Sequence, residues 1–320
     1  KMGHPAHELG LLVRRHGLQM RSANFALYGD LSARVVQVLA DAAPRVEVYS
    51  IDESFLDLSG IPNREAFCRE LRDRVRRWVG IPNCIGIGPT KTLAKAANKL
   101  AKKGPGVCDL SDRTARATAL AQYPVEDLWG VGRKWAAKLG SMGVTTAAQL
   151  RDAPPDLILE RFGVVMRRTQ QELQGLPCLT LEEIEPDRQQ IMVSRSFANR
   201  VEDHQSVEHA LATFATRACE KLRSRGLTAS AVGILAQTDA FRPELRQHHP
   251  SRTIGMPRAT ADTRIVLAVV RLLLRNFLRD GHGYKRAGVF LQDLARPADL
   301  QSDLFQPATA GDPKMMDTLD

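Results

Sequence analysis

Two adjacent carboxylates, Asp52 and Glu53, stand in the middle of an apolar stretch, and they constrain the fold more than any other feature of the chain. A β-branched run, 46–51, leads into the pair, and a second strand-like run, 54–58, leads out of it. This pattern predicts a tight hairpin with the two acids at its apex. Because neighbouring side chains in a strand point to opposite faces, consecutive carboxylates can share a cation only where the chain bends. Mg²⁺ takes one or two carboxylates together with substrate phosphates, whereas the alternative interpretation is an ordinary solvated turn.

Composition and charge favour a globular protein with a polyanionic partner. Of the 320 residues, 43% are hydrophobic and 25% are charged, and the formal net charge is +9. An excess of this size favours nucleic acid as the partner. The longest apolar candidate, 265–278, is interrupted by Arg271 and Arg275 and is shorter than the roughly 20 residues that cross a bilayer. We therefore expect no membrane partner.

The five cysteines are scattered, odd in number and without Cys-x-x-Cys spacing. They indicate reduced thiols of a cytoplasmic protein, with neither a zinc site nor a disulfide framework. The chain opens at Lys1 without an initiator methionine or an apolar signal segment, so we expect that it begins partway into a longer protein. The cysteines are Cys68, Cys84, Cys108, Cys178 and Cys219.

The first half of the chain alternates helical and strand patterns. Apolar periodicity predicts helices over 25–39, 65–79 and 90–103, and a strand over 84–88. We expect this strand to lie beside the acidic hairpin in one antiparallel sheet. Four lysines recur at near-helical spacing on the third helix, which indicates either a solvated basic face or a phosphate-binding one. These lysines are Lys91, Lys95, Lys99 and Lys102.

A helix-hairpin-helix motif is predicted in the middle of the chain. A short helix, 125–129, precedes Gly130 and Gly132, and a second helix, 133–139, follows. Small residues let backbone amides and a helix N-terminus approach a phosphate closely, without reading the base sequence. Arg133 and Lys134 add positive charge at this point. Further helices, at 145–151 and 155–175, predict an all-helical region.

The C-terminal part predicts a compact β-α-β-β-α-β unit after an aperiodic, acidic linker at 176–187. We expect basic residues on its open sheet face and rim, including Arg195 and Arg252, to contact phosphates. The segment from Ala295 onward contains three prolines and predicts a mobile tail. A polar residue followed by a Leu-Phe pair in this tail suits an apolar groove on a partner. These residues are Gln301, Leu304 and Phe305.

Tyr49-Ser50-Ile51-Asp52-Glu53, followed by Phe55-x-Asp57-Leu58, closely resembles the palm signature of Y-family translesion DNA polymerases. Segments 22–32 and 194–197 are similar to the UmuC-type branch of that family, and the resemblance extends over residues 1–305 in order. It implies an α+β multidomain fold, a right-hand polymerase with an antiparallel-sheet palm, small fingers, a helical thumb with helix-hairpin-helix, and a βαββαβ little finger. The implied domains are the fingers remainder at 1–43, palm at 44–112, thumb at 113–178, linker at 179–189, little finger at 190–295 and flexible tail at 296–320.

The resemblance implies error-prone translesion DNA synthesis in the bacterial SOS response. Asp52 and Glu53 would be catalytic and would bind two Mg²⁺ ions, and Lys102 would contact the incoming triphosphate. The implied partners are primer-template DNA, deoxynucleoside triphosphates, a sliding clamp that takes the Gln301 peptide, a UmuD-type subunit and a recombinase filament. The implied location is the cytoplasm, in association with the nucleoid. Further implied nucleotide contacts are Arg21, Asn24, Phe25 and Tyr28.

One departure from the family pattern concerns the third palm carboxylate. No Asp-x-Asn-x-Phe/Tyr strand precedes Asp52, and the only upstream aspartates are Asp30 and Asp41. With two carboxylates instead of three, we expect weak metal binding and weak or no polymerase activity. Two other interpretations remain. One is a non-catalytic accessory protein that binds damaged DNA, although both acids argue against it; the other is a structure-specific nuclease, which also combines carboxylates with a helix-hairpin-helix.

Overall fold

The fold was analysed in a computed structural model, which describes residues 4–182, 189–300, 309–312, 315–316 and 318. The chain divides into two compact units, Lys1–Glu185 and Pro186–Asp320. The division falls inside the predicted linker at 179–189. In the described part of the chain, none of the helices is both long enough and apolar enough to cross a bilayer.

The first unit begins with a short 3-10 turn and two helices, which precede the acidic hairpin in the chain. A short 3-10 turn, Ala6–Glu8, and helix α1, Gly10–His16, precede helix α2, Phe25–Ala40. The turn and α1 were not predicted, whereas α2 matches its expected range within one residue. Asn24 begins α2 because its side chain accepts a hydrogen bond from the backbone N–H of Leu27 at 3.1 Å.

The predicted acidic hairpin is present. Strand β1, Val46–Val48, pairs antiparallel with strand β2, Ser54–Leu56, with Val48 opposite Ser54. The backbone N–H groups of Tyr49 and Ser50 both donate to the carbonyl of Glu53 at 3.0 Å, which tightens the intervening loop. Asp52 and Glu53 therefore lie at the bend, where consecutive side chains are freed from strand alternation.

A βαβ unit follows, and it corrects the expected single antiparallel sheet. Strand β3, Ile85–Ile87, pairs in parallel with strand β4, Val107–Asp109, and not with the acidic hairpin. Two parallel strands must be joined by a crossover connection, and helix α4, Lys91–Ala101, supplies it. Gly86 permits close packing of this helix, because a Cβ there would lie 2.0 Å from the backbone nitrogen of Asn98. The two helices of this region are α3, Arg64–Val79, and α4, Lys91–Ala101.

The remaining helices of the first unit share a core with α4. Leu93 and Ala97 of α4 are fully buried against the helical region, so the βαβ unit and the helices pack as one cluster. The long helix α8 is interrupted at Gly163, whose φ of 81° and ψ of −179° are non-helical. The elements are α5, Arg113–Gln122; a 3-10 turn, Val125–Asp127; α6, Arg133–Gly140; α7, Ala147–Asp152; and α8, Pro155–Gln174.

Glu172 near the end of α8 connects three segments of the first unit. Its carboxylate, 1% exposed, accepts hydrogen bonds from the backbone N–H and the hydroxyl of Thr92 at 2.9 and 2.7 Å. It also accepts from the backbone N–H groups of Cys178 and Leu179, at 3.0 and 3.1 Å. The start of the predicted linker is therefore fixed against the N-terminus of α4.

The second unit has the predicted β-α-β-β-α-β order. Its five-stranded sheet runs β5-β8-β6-β7-β9, and all pairs are antiparallel except β7 with β9. Both helices contribute buried apolar side chains to its core. The elements are β5, Gln190–Val201; α9, His204–Arg223; β6, Thr228–Thr238; β7, Ser251–Thr260; α10, Thr263–Leu274; β8, Tyr284–Ala295; a 3-10 turn, Pro297–Asp299; and β9, Thr309–Ala310.

The described part of the tail packs against the second unit, which differs from the mobile tail expected there. The hydroxyl of Thr260 donates to the carbonyl of Ala310 at 2.7 Å, and the backbone N–H of Asp312 donates to Asp262 at 3.1 Å. Met316 is 1% exposed. The open edge of β7 and the carboxylate of Asp262 thus provide partners that composition alone did not reveal. The proposed clamp-binding residues Gln301, Leu304 and Phe305 lie outside the described residues.

Candidate active site

The acidic loop presents its two carboxylates differently. Asp52 is exposed, and one of its oxygens accepts a hydrogen bond from the hydroxyl of Ser50 at 2.7 Å. Glu53 is half-buried and forms an ion pair with Lys95 of α4. The loop therefore offers one open carboxylate and one that already holds a cation.

Three lysines of the α4 stripe each bind a different carboxylate. Lys91 pairs with Glu47 of β1, Lys95 pairs with Glu53, and Lys99 pairs with Asp127. The Lys91–Glu47 pair is nearly buried, with side chains 10% and 7% exposed. Glu47 also accepts the backbone N–H of Glu182 at 2.8 Å. The first three lysines of the stripe are thus ion-paired with the acidic hairpin and the helix-hairpin-helix region, so the stripe is not simply a solvated face.

Lys102, the fourth lysine of the stripe, is exposed and has no ion-pair partner among the described residues. It lines a cavity of about 350 Å³ together with Glu53. Burial, reinforced by the nearby charge of Asp127, raises the pKa of Tyr123 in this cavity to about 12, so its phenol stays protonated at neutral pH. The Tyr123 hydroxyl donates to the carbonyl of Asp127 at 3.1 Å. The other residues that line the cavity are Lys95, Asn98, Lys99, Asp127 and Trp129.

An aromatic cluster joins the acidic loop to the helix-hairpin-helix region. The ring centroids of Tyr49 and Trp129 lie 5.4 Å apart at 87°, and those of Tyr49 and Phe55 lie 5.7 Å apart. The indole N–H of Trp129 donates to the hydroxyl of Tyr49 at 3.3 Å. No local sequence pattern relates these two residues, which are 80 positions apart.

The first helix of the predicted helix-hairpin-helix motif, expected at 125–129, is a 3-10 turn, Val125–Asp127, and the glycine hairpin after it leads into α6. Gly130 has a φ of +86°, a left-handed conformation that glycine adopts without strain. Gly132 begins α6 without a side-chain cap, which leaves the first N–H groups of that helix available. Arg133 and Lys134 are exposed and have no ion-pair partner among the residues described. An anion is favoured at such a helix start.

Apart from Lys102, the predicted nucleotide contacts lie at or just before the first turn of α2 and do not line the cavity. Phe25 is 78% exposed, and its ring centroid lies 6.3 Å from that of Tyr28. Asn24 serves as the N-cap of the helix. Arg21 donates to the side chain of Gln19 at 2.7 Å. The structure therefore places Asn24, Phe25 and Tyr28 together on one helix turn, whereas Arg21 contacts Gln19.

The two arginines predicted to bind DNA in the second unit differ. Arg195 on β5 is exposed and has no ion-pair partner in the described ranges. Arg252 on β7 instead donates to the backbone carbonyls at the end of α10 and lies over a ring, 5.6 Å from its centroid. This arrangement favours a helix-capping role over the expected DNA contact. The carbonyls are those of Leu273, Arg275 and Asn276, at 3.3, 2.6 and 2.9 Å, and the ring is that of Phe277.

The acidic loop supplies the donor set that a hard divalent cation uses in the presence of phosphates. Asp52 and Glu53 provide two carboxylates, and Mg²⁺ in proteins is commonly held by one or two carboxylates, several waters and substrate phosphates. Within the described ranges, no group of three or more histidine, cysteine or acidic side chains is arranged so that it could hold a metal ion. These residues therefore fit a metal that arrives with a phosphate substrate, but not an all-protein metal cage.

The fold matches that of Y-family DNA polymerases. A Y-family DNA polymerase chimera of Dbh and Dpo4 superposes with a TM-score of 0.67 and 20% identity, covering 84% of this chain and 77% of the chimera. The insertion ternary complex of Dbh DNA polymerase gives a TM-score of 0.55 and 18% identity, covering 91% of this chain and 83% of that one. At these identities the likeness concerns the fold alone.

Sequence similarity defines the family more narrowly. The impB/mucB/samB family model matches residues 1–99, and the model of that family's C-terminal domain matches residues 188–304. The UmuC protein of Salmonella typhimurium is 39% identical over 327 residues, which cover 99% of this chain and 78% of that protein. The MucB protein of Escherichia coli is 38% identical over 328 residues, covering all of this chain and 78% of MucB. DNA polymerase IV of Moorella thermoacetica is 29% identical over 289 residues, covering 87% of this chain and 69% of the polymerase.

The chain therefore belongs to the impB/mucB/samB family. This confirms the resemblance to Y-family polymerases of the UmuC type and the right-hand α+β fold that it implied.

Proposed function

We propose that this protein is a DNA-directed DNA polymerase that performs error-prone translesion synthesis. The observation that carries the proposal is the Asp52–Glu53 bend beside a cavity lined by lysines, in a chain of this family. A carboxylate pair suits a metal, and a lysine without an ion-pair partner suits the phosphates that accompany it. The relatives named DNA polymerase IV support the same reaction.

Asp52 and Glu53 would hold Mg²⁺, with two ions in the complete site. When bound, the metal offsets the negative charge that develops on the transferred phosphate and orients the primer hydroxyl. Lys102 neutralises part of the triphosphate charge from the side of α4. The helix start at Gly130–Lys134 and the exposed Arg195 contact DNA phosphates. Contacts of this kind carry little base information, which agrees with low fidelity.

Family membership supports several wider assignments, which remain part of the proposal. The domain limits given above, association with a sliding clamp through the tail peptide, and association with a UmuD-type subunit and a recombinase filament extend the proposal. So does a cytoplasmic, nucleoid-associated location in a bacterium under SOS induction. Each of these assignments is independent of the nucleotidyl transfer, so any one of them can be wrong while the polymerase assignment stands.

A labelled primer-template incubated with Mg²⁺, with and without nucleotides, tests the proposal. We expect weak primer extension, because the palm supplies two carboxylates instead of three; it should occur only when nucleotides are present and should be lost in Asp52→Asn and Glu53→Gln. Cleavage that needs no nucleotides would indicate a nuclease. Tight DNA binding with neither reaction would indicate an accessory protein. Either result would contradict the polymerase assignment.

A further inference from the structure

We infer that Lys95 is a positioning residue that acts as an exchangeable counter-ion of Glu53, so that metal and ammonium compete for this carboxylate. The inference rests on the proposed metal role of Glu53 and extends it to a residue outside the metal-binding pair. It names a step that substrate binding must include: release of the Lys95 ammonium from Glu53.

The contact between the two side chains carries the first part of the argument. The Lys95 ammonium donates to a carboxylate oxygen of Glu53, and both side chains are partly shielded, 21% and 35% exposed. A metal ion that takes Glu53 as a ligand must approach the same oxygens. Two cations at that separation repel each other strongly where solvent is partly excluded, so the ammonium must move away.

The surroundings of Lys95 give the ammonium a second place to stay. Its nitrogen lies 5.7 Å from the ring centroid of Tyr49 and 5.9 Å from that of Trp129. Aromatic faces attract a cation at these distances. Released from Glu53, the ammonium can remain against the rings and face the cavity, where it adds to the positive charge of Lys102. Metal binding would thus also increase the positive charge in the part of the site that receives the phosphates.

The neighbouring pairs of the stripe separate this exchange from a purely structural ion pair. Lys91 and Glu47 are nearly buried, and Glu47 also holds the backbone of Glu182, so this pair stabilises the fold. Lys99 lines the same cavity as Lys95 but pairs with Asp127, a carboxylate that also lines the cavity and does not belong to the acidic loop. Lys99→Gln is therefore a matched control, because it removes one positive charge from the same helix face without freeing Glu53.

The experiment measures binding of Mn²⁺ to the full chain by electron paramagnetic resonance, without DNA or nucleotide. We expect Lys95→Gln to bind Mn²⁺ roughly two- to fivefold more tightly, as expected for removal of one competing ion pair near the surface. Lys95→Arg should restore the original affinity, and Lys99→Gln should change it less. Unchanged or weaker binding in Lys95→Gln, or an equal gain in Lys99→Gln, would overturn the inference.

Two further measurements distinguish a failure of the Lys95 inference from a failure of the proposed function. If Glu53→Gln leaves Mn²⁺ binding intact, the metal role of Glu53 is wrong, whatever Lys95 does. When Mg²⁺ is titrated into the original protein in the absence of Mn²⁺, the fluorescence of Trp129 should change. The reason is that the Lys95 ammonium shifts relative to the ring of Trp129. The change should be absent in Trp129→Phe and in Lys95→Gln, and its persistence in Lys95→Gln would contradict the displacement.

Discussion

At the scale of single residues, the site depends on which charges already have partners. Lys91, Lys95 and Lys99 are each matched to one carboxylate, and Lys102 has no ion-pair partner in the part of the chain that the structure describes. A lysine without a nearby carboxylate keeps its full charge for a ligand, whereas a paired lysine must first exchange its partner. This difference supports the proposed roles of Lys102 in substrate binding and of Lys95 in the exchange with the metal.

Lys102→Ala should raise the KM for the incoming nucleotide about tenfold, the loss expected for one hydrogen bond to a charged group. Stability should hardly change, because the side chain is exposed and makes no ion pair with the described residues. Steady-state incorporation kinetics on an undamaged template measure the effect. Lys103→Ala is the matched control, since Lys103 is also exposed but does not line the cavity. An equal rise in both variants would show that only net charge matters.

At the scale of elements, turns and strand edges decide where segments end and where they attach. Helix α8 is broken at Gly163, which adopts a backbone conformation available almost only to glycine. Strand β9 is attached to the second unit through the edge of β7 and the carboxylate of Asp262. The break in α8 and the attachment of β9 each involve only a few residues. Both nevertheless depend on the neighbouring elements against which α8 and β9 pack.

Gly163→Ala should destabilise the first unit by about 1–3 kcal/mol, because alanine is strained at a φ of 81°. Gly29→Ala is the matched control: Gly29 lies inside α2, has ordinary helical geometry and has nothing within 4 Å of an added Cβ. That substitution should be neutral or stabilise by up to about 1 kcal/mol. Denaturant unfolding followed by circular dichroism measures both. A neutral result for Gly163→Ala would show that the helix break can be absorbed.

Asp262 should make the attachment of the tail dependent on pH. A hydrogen bond from Arg264, with further help from the backbone N–H of Asp312, lowers the pKa of Asp262 from 3.8 to about 2. A lowered pKa stabilises the folded state above the unfolded value of 3.8, and this contribution disappears as the pH falls through about 2. Asp262→Asn should therefore be less stable than the original protein at pH 5, and the difference should vanish near pH 2.

Hydrogen exchange of the amide of Asp312, followed at several pH values, measures the attachment, and thermal unfolding measures the stability of the unit. Asp262→Asn is itself the control for helix capping, because an asparagine still accepts the backbone N–H of Arg264 at the start of α10. A stability difference that stays constant from pH 5 to pH 2 would contradict the role of the charge.

At the scale of the whole molecule, two compact units have their own apolar cores, and buried carboxylates hold the first one together. Glu172 joins α8, α4 and the start of the linker, and Glu47 joins β1, α4 and Glu182. Because both acids act on α4, the same helix that carries the lysine stripe is fixed from two sides. The rigidity of the site thus depends on contacts between distant parts of the chain.

Glu172→Ala should destabilise the first unit by about 3 kcal/mol or more, because it leaves several buried donors without an acceptor. Glu172→Gln should cost less, since its amide oxygen retains part of the acceptor capacity. Hydrogen exchange should increase in α4 and at Cys178 and Leu179, while the β6–β8 sheet of the second unit serves as the internal reference. Faster exchange in both units alike would mean that Glu172 does not act through these contacts.

The sequence by itself determined what depends on neighbouring residues. The acidic bend, the extent of α2 and α3, the Gly130 turn and the β-α-β-β-α-β order follow from periodicity, caps and turn residues that act over a few positions. The family resemblance added the fold and the reaction, because several such segments occur in the right order.

Only the tertiary structure decided which distant groups meet. The parallel pairing of β3 with β4, the match of Lys95 to Glu53, the contact of Trp129 with Tyr49 and the contact of Glu172 with Thr92 join residues from about 20 to 80 positions apart. A carboxylate and a lysine carry no local mark of their partner. Packing of α4 against the hairpin and the helices selects the partner, because burial makes an unmatched charge costly.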